Sequence, residues 1–210
     1  MSWADKSLKE FQDALASDAP TPGGGSAVGV ALGQAAALSI MVCELTLSNE
    51  KYKDGWSISE SIKEIATPLL ILGLDLSLRD SEAFDEVVDS FRLPKDTEEE
   101  KLDRRLAIRK ATLGAAEVPY QTALSALDLL KLLPGLAEKG NSNAVSDIGV
   151  AGLLASTALK GAVFNVQINL QSLPDDYGVE MRKNLPSLIE EGRLYSRKCM
   201  DVVRMQLADS

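Results

Sequence analysis

Residues 23–43 read GGGSAVGVALGQAAALSIMVC, 21 residues without a charge, and the fold turns on whether this run crosses a membrane or forms the centre of a helical bundle. Its length suffices to span a bilayer. Its composition points the other way, because Gly, Ala and Ser dominate, Gln34 sits in the middle, and there is little Leu, Ile or Phe to gain free energy from lipid. Small side chains instead let neighbouring backbones approach closely. The run is therefore predicted to be a central helix wrapped by other helices, with no membrane association.

Outward from this run, Leu8, Phe11 and Leu15 recur at helical spacing in a short first helix that stops near Ser17-Asp18-Ala19-Pro20. The turn Pro20-Thr21-Pro22-Gly23-Gly24-Gly25-Ser26 then feeds the Ala-rich helix, which is predicted to reach about Asn49. A third helix is predicted from Ser57 to Phe91, with Pro68 as a kink or break, ending at Arg92-Leu93-Pro94-Lys95. Asp96-Thr97-Glu98-Glu99-Glu100 opens a fourth, offering Asp and Thr as caps and acidic residues to the first turn. That helix is predicted to run toward Leu133 with Pro119 as a kink, and Pro134-Gly135 and Gly140-Asn141 punctuate the next connection. Asn143 to Leu170 reads as a long buried helix and Val179 to Leu207 as an amphipathic one. No stretch alternates as a strand would, and no internal repeat is present. The expectation is an all-α, single-domain bundle of long, partly kinked helices over residues 1–210.

The 210 residues can bury a full core without staples. A formal net charge of −9 argues against nucleic acid and anionic lipid surfaces as partners. Cys43 and Cys199 stand far apart without CxxC spacing, which predicts buried, reduced thiols in a cytoplasmic protein. The first residues show no basic segment followed by an apolar one, so no secretory signal is expected. The chain has no histidine at all, which removes His-based triads and His-bound metals. Acid–base chemistry then falls to carboxylates, Lys, Tyr or Cys.

Three places interrupt the apolar faces with polar groups. Gly73, Leu76, Asp80, Phe84, Val87 and Phe91 share one helical stripe, so Asp80 sits in an otherwise apolar row, either paired, cap-like, or functional with its pKa raised by burial. On the fifth helix Asn143, Asp147, Ala151, Ala155, Ala158, Ala162, Asn165 and Asn169 recur at steps of three or four. Small residues between amides leave room for a flat heterocycle, and the same amides serve equally well as caps or interface contacts. The Gly23-Gly24-Gly25-Ser26 turn offers backbone N–H groups to an anion such as a carboxylate, or is a plain helix start; it lacks phosphate-loop spacing.

These residues also carry a resemblance. The turn at Pro20–Ser26, Lys51-Tyr52, Asp80-Ser-Glu-Ala-Phe84, Arg92-Leu-Pro-Lys95 with its acidic continuation, Gly140-Asn-Ser-Asn143 with Ser146-Asp147, and Asn165-Val-Gln-Ile-Asn169-Leu170 occur in one order. Together they resemble the cyclodeaminase half of formimidoyltransferase-cyclodeaminase and its stand-alone relatives, which include methenyltetrahydrofolate cyclohydrolases. The likeness runs from about Leu8 to the last helix.

The resemblance implies an all-helical homodimer acting on one-carbon units of tetrahydrofolate, with no metal and no tightly bound cofactor. Asp80 matches the catalytic aspartate. Asn141, Asn143, Ser146, Asp147, Asn165 and Asn169 fall on motifs implied to bind the pterin or the reacting bridge, and Gly23, Gly24, Gly25, Ser26, Lys51, Tyr52 and Lys95 on those implied to face the glutamate tail. Cyclodeamination of formimidoyltetrahydrofolate is the leading expectation, with a separate formimidoyltransferase as its source of substrate. Cyclohydrolase activity, or a catalytically silent folate-binding dimer, is the alternative. Asn49-Glu50-Lys51-Tyr52 carries fewer cations than the family's pattern, which weakens the case for a long polyglutamate tail.

Overall fold

The computed structural model describes residues 3–208, and among them every regular element is helical. After a 3-10 turn at Trp3–Asp5 come α1 (Leu8–Leu15), α2 (Gly24–Leu47), α3 (Trp56–Phe91), α4 (Glu98–Lys139), α5 (Val145–Gln171) and α6 (Val179–Ala208). Short 3-10 segments at Glu50–Gly55 and Ser142–Ala144 lead into α3 and α5.

Local chemistry sets the starts. Ser7 with Glu10, and Thr97 with Glu100, form reciprocal capping boxes, each satisfying two otherwise orphaned N–H groups. α2 starts differently, because its cap residue is Gly23 and no side chain of its own caps it.

The uncharged run is the inner helix, as its small residues predict. α2 packs between α3 and α5, while α4 closes the bundle behind them against α3, α5 and α6. Leu32, Ala35, Ala36, Val42 and Cys43 of α2 are fully buried with Ala151, Ala155, Ala158 and Ala162 of α5. α2 and α3 cross at Gly29 and Gly73, where a Cβ on either glycine would lie 2.7 Å from the other's carbonyl oxygen. Only glycines permit that approach. By length and apolarity α2 and residues 142–171 both pass the test for a membrane span, yet half or more of each test window is buried inside the bundle.

Three details differ from the sequence expectation. α4 does not end at Leu133 but continues through Pro134-Gly135 to Lys139. An interior proline costs about 3 kcal/mol, and burying Leu133, Leu136 and Ala137 on that segment returns about 2 kcal/mol per leucine. Packing decides the element here. α5 begins at Val145 rather than Asn143, because the Asn141 side chain accepts from the Asn143 N–H and holds a 3-10 turn first. Finally, Phe84 and Phe91 are exposed, so the apolar row around Asp80 is not a core stripe beyond Ser81.

Candidate active site

Where α2 starts, Asp80 of α3 stands against it. A methyl built on Gly25 would overlap the Asp80 carboxyl group, so the absent side chain is what admits the carboxylate. Ser26 meets it with its backbone N–H and with its hydroxyl, which donates to Oδ2 at 3.4 Å. The carboxylate thus caps α2 from another helix, at the positive end of that helix's dipole.

The hydroxyl is held in turn. Ser26 and Ser81 hydroxyls lie 3.1 Å apart, and the Trp3 indole N–H donates to Ser81 Oγ at 3.2 Å. An indole N–H can only donate, and Ser26 gives its one hydroxyl proton to Asp80, which leaves Ser81 as the donor between the two serines; the chain is directed from Trp3 to Ser81, Ser81 to Ser26 and Ser26 to Asp80. Both serines are buried. Asp80 is the group whose ionisation this chain supports. Burial pushes its carboxyl above the ordinary carboxylate range, and the two Ser26 hydrogen bonds pull partly back.

Asp80 faces a cavity of about 300 Å³ whose lining includes Gly23, Gly24, Gly25, Phe84, Asn165 and Asn169. Pro20 and Thr21 form one rim, and Val87, Ala115 and Ile168 complete the walls. No Lys or Arg lines it, so a cation forming inside would meet one carboxylate and no repulsion. Asn165 donates to the Gly161 carbonyl at 3.0 Å and Asn169 to the Ala115 carbonyl at 2.8 Å. Each amide is fixed through its nitrogen and keeps an oxygen for a ligand. The volume fits a bicyclic heterocycle and leaves any tail outside.

The structure brings together Asp80, Gly23, Gly24, Gly25, Ser26, Asn165 and Asn169. It does not bring the other candidates to this cavity. Lys51, Tyr52, Asn141, Asn143, Ser146 and Asp147 lie at the far end of α2 and the start of α5, about 33 Å away at about 1.5 Å per helical residue. The row from Asn143 to Asn169 is accordingly two sites' worth of residues rather than one. At that far end Asn141 is structural: buried, it donates to the Leu45 carbonyl at 3.2 Å, and its N–H donates to Thr46 Oγ1. The Tyr52 and Ser142 hydroxyls are 3.1 Å apart, while Lys51, Asn143 and Ser146 are exposed. Lys95 lies in a separate basic groove of about 440 Å³ with Lys101, Arg104, Arg105 and Arg109, the last of which precedes Ala115 by about 9 Å on the way back to the start of α4.

Sequence reasoning missed Phe84 and Val87 as walls, Ala115 altogether, and the Trp3–Ser81 support. Ser81 adjoins Asp80 and was within reach of a helical-wheel argument, whereas Ala115 carries no local signal.

Comparison with known proteins points the same way. Residues 7–185 match the family model described as formiminotransferase-cyclodeaminase. The chain is similar to a methenyltetrahydrofolate cyclohydrolase of Methylorubrum extorquens, 35% identical over 97% of this chain and 98% of the relative. It is also similar to the formimidoyltransferase-cyclodeaminase of Rattus norvegicus, 30% identical over 91% of this chain but only 36% of that longer protein. The solved formiminotetrahydrofolate cyclodeaminase of Thermotoga maritima superposes with a TM-score of 0.80, 32% identity and 98% coverage of both chains. With the matched region running from α1 into the start of α6 and holding the whole Asp80 cavity, this chain belongs to the formiminotransferase-cyclodeaminase family.

Proposed function

We propose that this chain catalyses cyclodeamination of 5-formimidoyltetrahydrofolate, with Asp80 as its single proton-transfer group. The observation that carries the reading is one half-buried carboxylate, held by Ser26, in a cation-free cavity flanked by two fixed amides. In the reaction N10 attacks the formimidoyl amidinium carbon, giving a tetrahedral carbon bonded to N5, N10 and the amine. Asp80 as carboxylate accepts the N10 proton and delivers it to the amine, which leaves as ammonia. The bridge becomes the methenyl cation, which the restored carboxylate stabilises in a site that excludes most water.

The reverse demand on the same groups gives the second reading, cyclohydrolysis, which the identity to the Methylorubrum extorquens cyclohydrolase over nearly both full lengths favours. There water adds to the methenyl carbon, Asp80 takes its proton, and the ring opens to formyltetrahydrofolate as a proton is delivered to the departing nitrogen. Neither scheme routes a step through a metal or a resident cofactor. The tail carboxylates of the substrate suit the Lys95 groove beside the cavity. The rest of the proposal is a homodimer in the cytoplasm, supplied with substrate by a formimidoyltransferase on another chain; the two buried free thiols fit a reducing compartment. Following the methenyl chromophore separately from formimidoyltetrahydrofolate and from methenyltetrahydrofolate decides between the readings: appearance in the first supports cyclodeamination, loss in the second alone replaces it with cyclohydrolysis.

A further inference from the structure

Buried hydroxyls on these helices have a usual partner. Ser39, Thr46, Ser59 and Thr122 each donate to the carbonyl four residues back, at 2.7, 2.8, 2.7 and 3.2 Å. Ser81, buried in α3 as well, turns across to Ser26 instead. One turn earlier on the same face the Ser77 hydroxyl is fully buried and has no hydrogen-bond partner among the described residues. Orphaned hydroxyls are uncommon in a packed core. A Ser81 that swung down α3 would find the Ser77 carbonyl, its ordinary acceptor, and the Ser77 hydroxyl beside it.

Trp3 holds Ser81 away from that alternative. Its indole N–H reaches Ser81 Oγ at 3.2 Å, and its ring is braced edge to face on Phe11 at 5.7 Å between centroids. Were Ser81 to swing down, the half-buried indole N–H would lose its acceptor and Ser26 its incoming donor. The Ser26 hydroxyl, 3.4 Å from Oδ2, would then have little to keep its proton on the carboxylate, since linked hydrogen bonds polarise one another. Ser26, Asp80 and Ser81 lie inside the region matched by the family model, whereas Trp3 precedes it.

We infer that Trp3 is a positioning residue for Asp80: its indole N–H holds the Ser81 hydroxyl on Ser26 and thereby the Ser26 proton on the carboxylate. The inference rests on the proposed role of Asp80 in proton transfer. Nothing charged competes with this control. No charged side chain of α2, α4 or α5 lines the Asp80 cavity. On α3, Arg79 turns to Asp75 and to Gln121, and Glu82 is exposed. Asp5 and Lys6 accompany Trp3 in the N-terminal turn, and neither contributes to the Asp80 shift, whose causes are burial and Ser26 alone.

The test is a pH titration of the Asp80 carboxyl by carbon-13 NMR on aspartate-labelled protein, with the signal assigned by its loss in Asp80→Asn. Trp3→Phe keeps a ring against Phe11 and removes only the donor. It should raise the Asp80 pKa by about one unit, Ser26→Ala should raise it comparably, and the double substitution should go no further than Ser26→Ala alone, because both act through one hydroxyl. A Trp3 that merely plugs the site would let water reach the carboxylate when trimmed, and the pKa would fall. An unmoved or lowered pKa in Trp3→Phe overturns the inference, as do shifts that add in the double variant. The titration needs no turnover, so it stands apart from the folate reading. In the methenyl absorbance assay the acid limb of kcat/KM should follow the NMR value; an NMR shift with an unmoved limb supports Trp3 as positioning the carboxylate and instead fails Asp80 as the base.

Discussion

Substituting Gly25→Ala should separate catalysis from stability. A Cβ at this position overlaps the Asp80 carboxyl group, so the carboxylate has to move by at least about 1 Å to regain van der Waals contact. Misplacement by about 1 Å of a group in a reacting constellation costs about 100-fold, which is about 2.7 kcal/mol of transition-state stabilisation. The backbone gains, because Gly25 lies inside α2 with a negative φ and Gly→Ala in a helix contributes roughly 0.5–1 kcal/mol. Thermal unfolding should therefore show an unchanged or slightly raised Tm beside a kcat/KM lowered about 100-fold in the methenyl absorbance assay. A variant that turns over within about threefold of wild type would refute the reasoning, since it would mean that the carboxylate is free to sit elsewhere.

Ser26→Ala removes a hydroxyl donor that holds the Asp80 pKa down, so the acid limb of the pH–kcat/KM profile, where the carboxylate takes up its proton, should move to higher pH; a limb that stays put or moves down contradicts Asp80 as the base. The raised folded-state pKa means that ionised Asp80 opposes folding, a penalty absent at low pH that sets in as pH rises through that pKa. Asp80→Asn should accordingly match or exceed the wild-type Tm at pH 7 and lose any advantage toward acid pH, as differential scanning at several pH values will show. Asn141→Ala deletes two hydrogen bonds of a buried amide, worth about 2 kcal/mol, and should lower Tm by about 4–8 °C; an unchanged Tm with lost folate binding would instead make Asn141 a ligand contact.

Much of the fold was legible because apolar periodicity and caps agree with packing: the Thr97 box, the Gly-rich start of α2 and the Ala-rich inner faces all read directly. Pro134 was not, since its local signal is a stop and only the burial of Leu133 and Leu136 on either side overrides it. For the site, Asp80 stood out as a carboxylate in an apolar row, whereas the spacing of Asn165 and Asn169 left ligand, cap and interface readings open and only the family resemblance singled them out. Lys51, expected with Ser26 to face the glutamate tail, does not lie near it within one chain for a reason of simple length: the 24 residues of α2 separate Ser26 from Lys51 by a full helix, and motif order along a chain does not report distance. Phe84 and Val87 looked like core because periodicity identifies a shared face and says nothing of what covers it.

The central claim is that Asp80 moves the proton that makes or breaks the methenyl bridge. Its most direct test is the methenyl absorbance of purified wild type and Asp80→Asn in the formimidoyltetrahydrofolate reaction, with folate binding measured alongside. The account predicts turnover by wild type, and an Asp80→Asn protein that is folded, still binds the folate and has lost at least about 100-fold in kcat, the lower end of what a positioned acid–base group contributes. An Asp80→Asn variant that turns over at the wild-type rate would contradict it.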